Sequence, residues 1–217
     1  MLEEMGAFFD NRLDGYEEHQ LTCIEGAREF YPFTASCLPS QMHVNILDLG
    51  CGTGLELDYY FQTNPSAAVT GLDLAPGMLT VLREKFSDKD ITLIEGSYFD
   101  VPFPENHYDV AVSVESLHHF MKREKTALYR KVYRALKPDG YFILTDYFAP
   151  SDEEELRFQN ELARLKSEQG ITGNGFYHYD TPLTVAHETQ ALQEAGFPTV
   201  EILGRWGATC TLRAGRQ

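Results

Sequence analysis

Basic residues are scarce in this sequence. Its 217 residues include 18 Lys and Arg against 33 Asp and Glu, which gives a formal net charge of −15 at pH 7. Because nucleic-acid phosphates and anionic lipid surfaces repel such a chain, this charge disfavours both as partners. Small molecules, cationic ones in particular, are the partners that the composition favours.

Long apolar runs are also missing. No stretch approaches the roughly 18 consecutive apolar residues of a membrane-spanning helix. The first twenty residues contain Glu3, Glu4 and Asp10, and they lack the apolar core with basic flanks that is typical of a signal peptide. We therefore expect a cytoplasmic protein without membrane insertion.

Cysteine is infrequent and widely spaced. The four cysteines form no Cys-x-x-Cys pair and have no His-rich neighbourhood, so their spacing indicates neither a zinc site nor a disulfide framework. The sequence predicts reduced thiols and no bound metal. The four are Cys23, Cys37, Cys51 and Cys210.

The chain does have an ordinary globular composition, with 43% hydrophobic and 24% charged residues. At this length we expect one α/β domain with an appendage. From residue 44, short apolar runs alternate with amphipathic helical patterns, which predicts a parallel sheet with helices on both faces. The predicted strands are 44–49, 68–73, 91–96, 108–115 and 141–147, and the predicted helices are 55–61, 76–86, 122–136, one capped by Ser151, and 182–195.

The end of the chain departs from this alternation. The runs TVEIL (199–203) and GATCTLR (207–213) are separated by three residues, too few for a crossover, so they are expected to pair as an antiparallel hairpin. The prediction is a mostly parallel seven-stranded sheet that ends in an antiparallel hairpin.

Two segments lie outside the repeat. We predict a helical cap segment over residues 1–43, a main domain over 44–217, and within it an insertion at 150–181. Open α/β sheets bind ligands at the carboxyl ends of their strands, and both segments are expected to lie there. The insertion is therefore expected to contribute to the ligand site.

Three glycines on alternate positions follow the first predicted strand in ILDLGCGTG (46–54). A strand, a glycine bend and a helix bring backbone N–H groups up to a ligand. The dinucleotide pattern Gly-x-Gly-x-x-Gly would need its third glycine where Leu55 stands, and no Gly-Lys-Ser/Thr of a P-loop follows. The bend suits a ligand with one carboxylate and some positive charge.

This motif resembles the first motif of class I S-adenosylmethionine-dependent methyltransferases, in particular the small-molecule branch that includes quinone methyltransferases. The resemblance extends over about residues 44–213, through GLDLAPGML (71–79), EGSYFDVPFPENHYDVAVSVESLHHF (95–120), LKPDGYFILTDY (136–147) and LQEAGF (192–197). It implies a Rossmann-like three-layer sandwich, S-adenosylmethionine as the cofactor and direct in-line methyl transfer to a small acceptor.

The resemblance also implies which residues bind the cofactor. Backbone groups near Gly50 and Gly52 would meet its carboxylate and ammonium, Asp48 would help to hold the ammonium, and Asp73 would accept hydrogen bonds from both ribose hydroxyls. The full implied set is Tyr16, Asp48, Gly50, Cys51, Gly52, Gly54, Asp73, Leu74, Met78, Ser97, Tyr98 and Glu115. Ser97 departs from the family, which commonly has an acid there for the adenine amino group; Asp100 is the alternative.

Methyl transfer from a sulfonium needs alignment and exclusion of water, and it needs a base only where the acceptor must lose a proton. His118, His119 and Glu115 are the predicted catalytic side chains, since they follow the fourth strand and an imidazole titrates near neutrality. A structural interpretation of the two histidines, one packed and one solvated, stays open. Asp146, Tyr147, Tyr177 and His178 are further candidates.

Three alternative functions remain open. The basic helix 122–137 would serve an RNA methyltransferase, but its charges lie all around the helix, so a nucleic-acid acceptor is disfavoured. A non-catalytic S-adenosylmethionine-binding protein would keep the same pocket. An NAD-dependent oxidoreductase is disfavoured by the early third glycine. The sequence indicates no oligomeric state.

Overall fold

The computed structural model describes residues 1–173 and 175–216; Asn174, within the predicted insertion, and Gln217, at the end of the predicted main domain, lie outside the described residues. Seven strands form one sheet in the order β3-β2-β1-β4-β5-β7-β6. They are β1 (Asn45–Leu49), β2 (Ala68–Asp73), β3 (Asp90–Glu95), β4 (Tyr108–Val114), β5 (Leu136–Tyr147), β6 (Thr199–Trp206) and β7 (Thr209–Gly215).

Eight α-helices accompany the strands in the described part of the chain. They are α1 (Met5–Asp10), α2 (Tyr16–Cys23), α3 (Ala27–Ser36), α4 (Leu55–Thr63), α5 (Pro76–Lys85), α6 (Lys122–Ala135), α7 (Asp152–Glu168) and α8 (Val185–Ala195). Within residues 1–173 and 175–216, no helix combines the length and the apolar character needed to cross a bilayer.

Strand pairing confirms the predicted sheet. β1 pairs in parallel with β2 and β4, β2 with β3, and β4 with β5, whereas β7 pairs antiparallel with both β5 and β6. The order reverses between β1 and β4, and a crevice opens there at the carboxyl ends of the strands. Two clusters of buried apolar side chains form the core.

The boundaries of three strands, β5, β6 and β7, differ from the prediction by two residues or more. β5 begins at Leu136 and not at 141. Tyr108 pairs with Leu136, the pairing is interrupted at Pro138-Asp139-Gly140, and it resumes at Val110 with Tyr141. The hairpin turn lies at 207–208, since an irregularity between Ile202 and Gly204 lets β6 continue to Trp206.

The two appended segments contact each other. A bridge pairs Glu4 with Tyr177, the N–H of Met5 donates to the carbonyl of Phe176 (3.0 Å), and the N–H of His178 donates to the carbonyl of Glu3 (3.0 Å). α1 is also attached to the sheet domain, because Asp10 Oδ1 accepts from the N–H of Gly77 (2.9 Å) at the first turn of α5. The N-terminal segment and the loop after α7 therefore form a continuous cover.

Candidate functional site

The glycine bend after β1 has a left-handed backbone. Gly50, Gly52 and Gly54 have φ values of 71°, 49° and 75°. The N–H groups of Gly50 and Cys51 donate to the carbonyl of Leu72 (2.9 and 3.0 Å), which attaches the bend to β2. A Cβ on Gly50 would lie 2.0 Å from Ser116 Oγ, whereas one on Gly52 would meet only the Tyr16 hydroxyl, at 3.8 Å. The surface above Gly52 is therefore open backbone.

Asp73 ends β2 beside this bend. Its Oδ2 accepts from the N–H of Gly52 and its Oδ1 accepts from the N–H of Ala75, both at 2.9 Å. Burial raises the pKa of the Asp73 carboxyl, and the two backbone donors act against that rise. The carboxylate is thereby held in one orientation at the carboxyl end of the strand.

A cavity of about 50 Å³ lies against the bend. Eight of the predicted cofactor-binding residues line it: Tyr16, Gly50, Gly52, Asp73, Leu74, Met78, Tyr98 and Glu115. Met5, Phe9, Val114, Ser116 and His119 complete the lining. None of these five is in the predicted cofactor set, although His119 is one of the predicted catalytic residues. Val114 and Ser116 flank the predicted Glu115 at the end of β4, while Met5 and Phe9 come from the distant N-terminal helix.

The other four predicted cofactor residues do not line this cavity. Cys51 packs its sulfur against Gly71, Gly54 faces the ring of Phe86, and Ser97 Oγ accepts from the N–H of Phe99 (3.2 Å) within its own turn. Asp48 is buried beneath the bend, with 1% of its surface exposed. Contacts between these four residues and a cofactor stay predictions.

Asp48 forms a buried acid pair with Glu56 of α4. Burial and the adjacent Glu56 carboxyl raise the pKa of Asp48 well above its usual range, and burial also raises the pKa of Glu56. Asp48 Oδ2, Glu56 Oε1 and Thr53 Oγ1 have no hydrogen-bond partner among the described residues. Within the described part of the chain, the space under the bend therefore contains three unpartnered oxygen atoms that can accept a hydrogen bond.

Replacing Asp48 with Asn is expected to stabilise the ligand-free protein, more at pH 8 than at pH 5. Because folding raises the pKa of Asp48, its carboxyl is harder to ionise in the folded state than in the unfolded state. The free energy of unfolding therefore falls progressively as the pH rises above about 3.9, the pKa of Asp in an unfolded chain. The amide carries no such penalty and can donate to Glu56. Urea unfolding at both pH values measures the effect, with Asp90→Asn, an exposed carboxyl at the start of β3, as the control. Equal or lower stability of Asp48→Asn at pH 8 would contradict this account.

A second and much larger cavity, of about 840 Å³, adjoins the first. Its walls come from α1, α2, the turn after β4, the β6–β7 hairpin and the loop after α7. Phe9, Tyr16, Glu115 and His119 line both cavities and so form the boundary between them. The Tyr16 hydroxyl lies near Asp73, Glu56 and Glu115, and burial together with these carboxylates raises its pKa.

The structure brings Glu115 and His119 to this boundary and places His118 beside them in the wall of the large cavity. Glu115 has φ 48°, an unusual value for a residue with a side chain, and its Oε1 accepts from Thr209 Oγ1 (3.1 Å). Burial raises the pKa of Glu115 to about 7. The two histidines form a single 3₁₀ turn, Leu117–His119, and not the start of a helix.

Both histidines are buried, so the interpretation of one packed and one solvated ring is wrong. His118 Nδ1 lies 2.6 Å from Asp146 Oδ1. Burial lowers the pKa of His118, but the carboxylates of Asp146 and Asp180 raise it by a larger amount, so that the pKa is about 9. Burial and the neighbouring His118 lower the pKa of His119 to about 4. His178 stacks on Phe8, and Tyr147 lines the large cavity.

Comparison with known proteins supports the family that the sequence motifs resemble. Residues 47–144 match the family model described as a methyltransferase domain. This region belongs to the class I S-adenosylmethionine-dependent methyltransferases. S-adenosylmethionine is accordingly its cofactor, and the sheet order places its fold with the Rossmann-like members of that family.

Two curated relatives and one solved structure illustrate the family. The chain is 30% identical over 170 residues to the malonyl-[acyl-carrier protein] O-methyltransferase of Acetivibrio thermocellus, covering 76% of this chain and 58% of that protein. It is 31% identical over 125 residues to the demethylmenaquinone methyltransferase of Listeria monocytogenes, covering 54% and 51%. An S-adenosylmethionine-dependent methyltransferase from Mesorhizobium loti shares the fold, with a TM-score of 0.60, 24% identity and coverage of 85% and 96%. The chain thus spans little more than half the length of these curated relatives.

The residues around the bend fit this cofactor. The open backbone at Gly52, the oriented Asp73 carboxylate and the unpartnered acceptors under the bend match a ligand with hydroxyl groups and an ammonium group. Ligand pockets usually have volumes of roughly 300–1,000 Å³, however, so a cavity of about 50 Å³ is too small for it. Tyr16 lies between this cavity and the larger one, so its side chain borders the additional space that the cofactor needs.

Proposed function

We propose that this protein transfers a methyl group from S-adenosylmethionine to a small-molecule acceptor that binds in the large cavity. The observation that carries this proposal is the shared boundary of the two cavities: Phe9, Tyr16, Glu115 and His119 face the glycine bend on one side and about 840 Å³ of space on the other. Such a volume matches a small organic ligand.

Each part of the site has a proposed role. Asp73 would hold the ribose hydroxyls, backbone groups of Gly50 and Gly52 would hold the amino-acid end, and Leu74 and Met78 would pack against the adenine. S-adenosylmethionine supplies an electrophilic methyl group when it is bound. Glu115, His118 and His119 line the acceptor side, where the imidazoles can orient an acceptor and Glu115, whose pKa is raised to about 7, can take up a proton from it.

The N-terminal helices and the loop after α7 would exclude water. They contribute Phe8, Phe9 and His178 to the large cavity and are joined by the backbone hydrogen bonds of Met5 and His178. An attacking atom that keeps no hydration shell reacts more readily in a displacement. Their sequences would also select the acceptor, and a cytoplasmic location stays a prediction.

The basic helix α6 gives little support to an RNA acceptor. Lys125 is buried against Glu188 (2.6 Å), and Lys131 Nζ donates to the carbonyls of Tyr98, Phe99 and Val101. Lys137, which the sequence assigned to this helix, lies in β5 and pairs with Asp109. Side chains that are already engaged are poor phosphate ligands, since their present partners would have to be replaced. We therefore favour a small acceptor.

A methyl-transfer assay tests the proposal. The protein is incubated with S-adenosylmethionine and, separately, with a malonyl thioester, a demethylated quinol, phenols, amines and RNA, and S-adenosylhomocysteine and methylated product are measured. We expect turnover on at least one small acceptor. We also expect that acceptor to change the fluorescence of Trp206, the single tryptophan, which lines the large cavity.

Other outcomes would replace the proposal. Cofactor binding without turnover on any acceptor would indicate a non-catalytic binding protein, and methylation of RNA alone would indicate an RNA methyltransferase. Binding of NAD without any response to S-adenosylhomocysteine would indicate an oxidoreductase.

A further inference from the structure

Three side chains converge at the floor of the large cavity from two distant parts of the chain. His118 Nε2 lies 3.6 Å from Asp180 Oδ1, and His119 Nδ1 lies 3.2 Å from the same oxygen. The three donor atoms all lie within 4.8 Å of one another. In tetrahedral zinc sites with bonds of about 2.0–2.1 Å, neighbouring donor atoms are separated by about 3.3 Å. Two of the three separations here are close to that value.

The surrounding structure holds these donors in place. His118 Nδ1 faces Asp146 Oδ1 at 2.6 Å, and the N–H groups of Leu117 and Tyr147 donate to the Asp146 carboxylate (3.0 and 2.9 Å). A carboxylate that accepts from one imidazole nitrogen leaves the other nitrogen to bind a metal, and this arrangement recurs behind metal-binding histidines. The N–H of Thr181 donates to the carbonyl of His118 (2.7 Å), which attaches Asp180 to the 3₁₀ turn.

Charge and exposure also fit a cation. Asp146, Asp180 and Glu115 surround His118, so the cluster contains three carboxyl groups. The two imidazoles are buried, with 10% and 3% of their side chains exposed, whereas 44% of the Asp180 side chain faces the cavity. A bound ion would thus have buried ligands on one side and a coordination position open to the cavity on the other.

We propose that His118, His119 and Asp180 bind one divalent transition-metal ion of the Zn²⁺ type at the floor of the large cavity. Two imidazoles and one carboxylate suit this class of ion, whereas Mg²⁺ and Ca²⁺ prefer oxygen ligands. Three protein ligands with one open position are typical of sites that bind a substrate atom.

The role of the ion rests on the proposed function, although its binding does not. An ion at this position faces the cavity that we assign to the acceptor, and its open position would take an oxygen atom of an acceptor hydroxyl or carboxyl group. Such an ion would favour anionic oxygen acceptors despite the acidic composition of the chain.

A second cluster provides a matched control. Asp152, Glu155 and His187 also lie within ligand distance of one another. Glu155 Oε2, however, already accepts from the N–H of Thr184 (2.7 Å) and contacts His187 Nδ1 (2.9 Å), so it joins the first turns of α7 and α8. It also combines imidazole and carboxylate donors, with one histidine and two acids, but its role is structural.

The test is a titration of chelator-treated, tag-free protein with Co²⁺, followed by visible absorption. We expect one equivalent to bind with the spectrum of a four- or five-coordinate N/O site and to be displaced by Zn²⁺. Asp180→Asn and His119→Ala are expected to weaken Co²⁺ binding by roughly tenfold or more. Loss of a group that hydrogen-bonds to a metal ligand typically lowers the metal affinity tenfold to hundredfold, and loss of the ligand itself is expected to lower it at least as much. His187→Ala is expected to bind Co²⁺ as the wild type does, and so is Cys23→Ser, which removes an exposed thiol of the same cavity.

Three results would overturn the proposal: no Co²⁺ binding by the wild type, normal binding by Asp180→Asn, or loss of binding in His187→Ala. Far-UV circular dichroism and thermal unfolding of each variant show that the variants are folded. The methyl-transfer assay separates the two proposals, since Co²⁺ binding without methyl transfer on any acceptor would remove the proposed function and leave the metal site.

Discussion

Replacing Asp73 with Ala is expected to weaken S-adenosylhomocysteine binding by about 1.5–3 kcal/mol, the range of hydrogen bonds to a charged group. This corresponds to a roughly 10- to 150-fold higher Kd. The carboxylate is oriented by the N–H groups of Gly52 and Ala75 at 2.9 Å and lines the cavity at the bend. Isothermal titration calorimetry measures the change.

Two variants separate the charge of Asp73 from its structural role. Asp73→Asn keeps an acceptor for one backbone N–H but loses the charge, so it is expected to bind with intermediate affinity. Asp90→Ala removes an exposed carboxyl at the opposite end of the adjacent strand and is expected to leave the Kd unchanged. An unchanged Kd in Asp73→Ala would remove this residue from the cofactor site.

Placing a methyl group on the bend is expected to have a comparable effect. In Gly52→Ala the new Cβ would project into the space beneath Tyr16, where nothing else lies within 4 Å. We expect the affinity for S-adenosylhomocysteine to fall by roughly tenfold or more, the effect of about 1.4 kcal/mol. The left-handed backbone at φ 49° adds about 1–2 kcal/mol of strain, so the free energy of unfolding should also fall by about that amount.

Two other glycines supply the comparison. Gly170 has φ 63° and open space around it, so Gly170→Ala should show a similar loss of stability with unchanged affinity. In Gly50→Ala the Cβ would lie 2.0 Å from Ser116 Oγ, and a larger loss of stability is expected. Affinity that falls in proportion to stability across all three variants would show that the bend has no specific role in binding.

The local part of the fold could be predicted from the sequence because the signals are short-range. The apolar run before Gly50 and the alternation that follows it specify β1, α4, β2 and α5, and the structure confirms each of them to within about two residues. The hairpin of β6 and β7 followed from connection length alone. Helix α2 differs: the sequence predicts a helical segment there, but the helix buries none of its residues, so it packs less closely than the other helices of the cap.

The proposed metal site depends on contacts that short-range sequence signals do not detect. His118 and His119 are adjacent in the chain, but their third partner, Asp180, lies about sixty residues away, in a loop with no recognisable motif. Spacing rules detect ligands that are close in sequence. The absence of Cys-x-x-Cys pairs therefore does not exclude a metal site whose ligands come together only when one loop packs against one turn.

By itself, the sequence determined the sheet, the glycine bend, the acid at the end of β2 and the family, because each depends on residues that are neighbours in the chain or on adjacent strands. Only the tertiary structure decided that Asp48 faces Glu56 under the bend and that Tyr16 and Phe9 stand between two cavities. It alone decided that Asp146 orients His118. These relations depend on how distant segments pack, and a buried carboxyl or imidazole acquires its chemistry from whatever charge that packing places beside it.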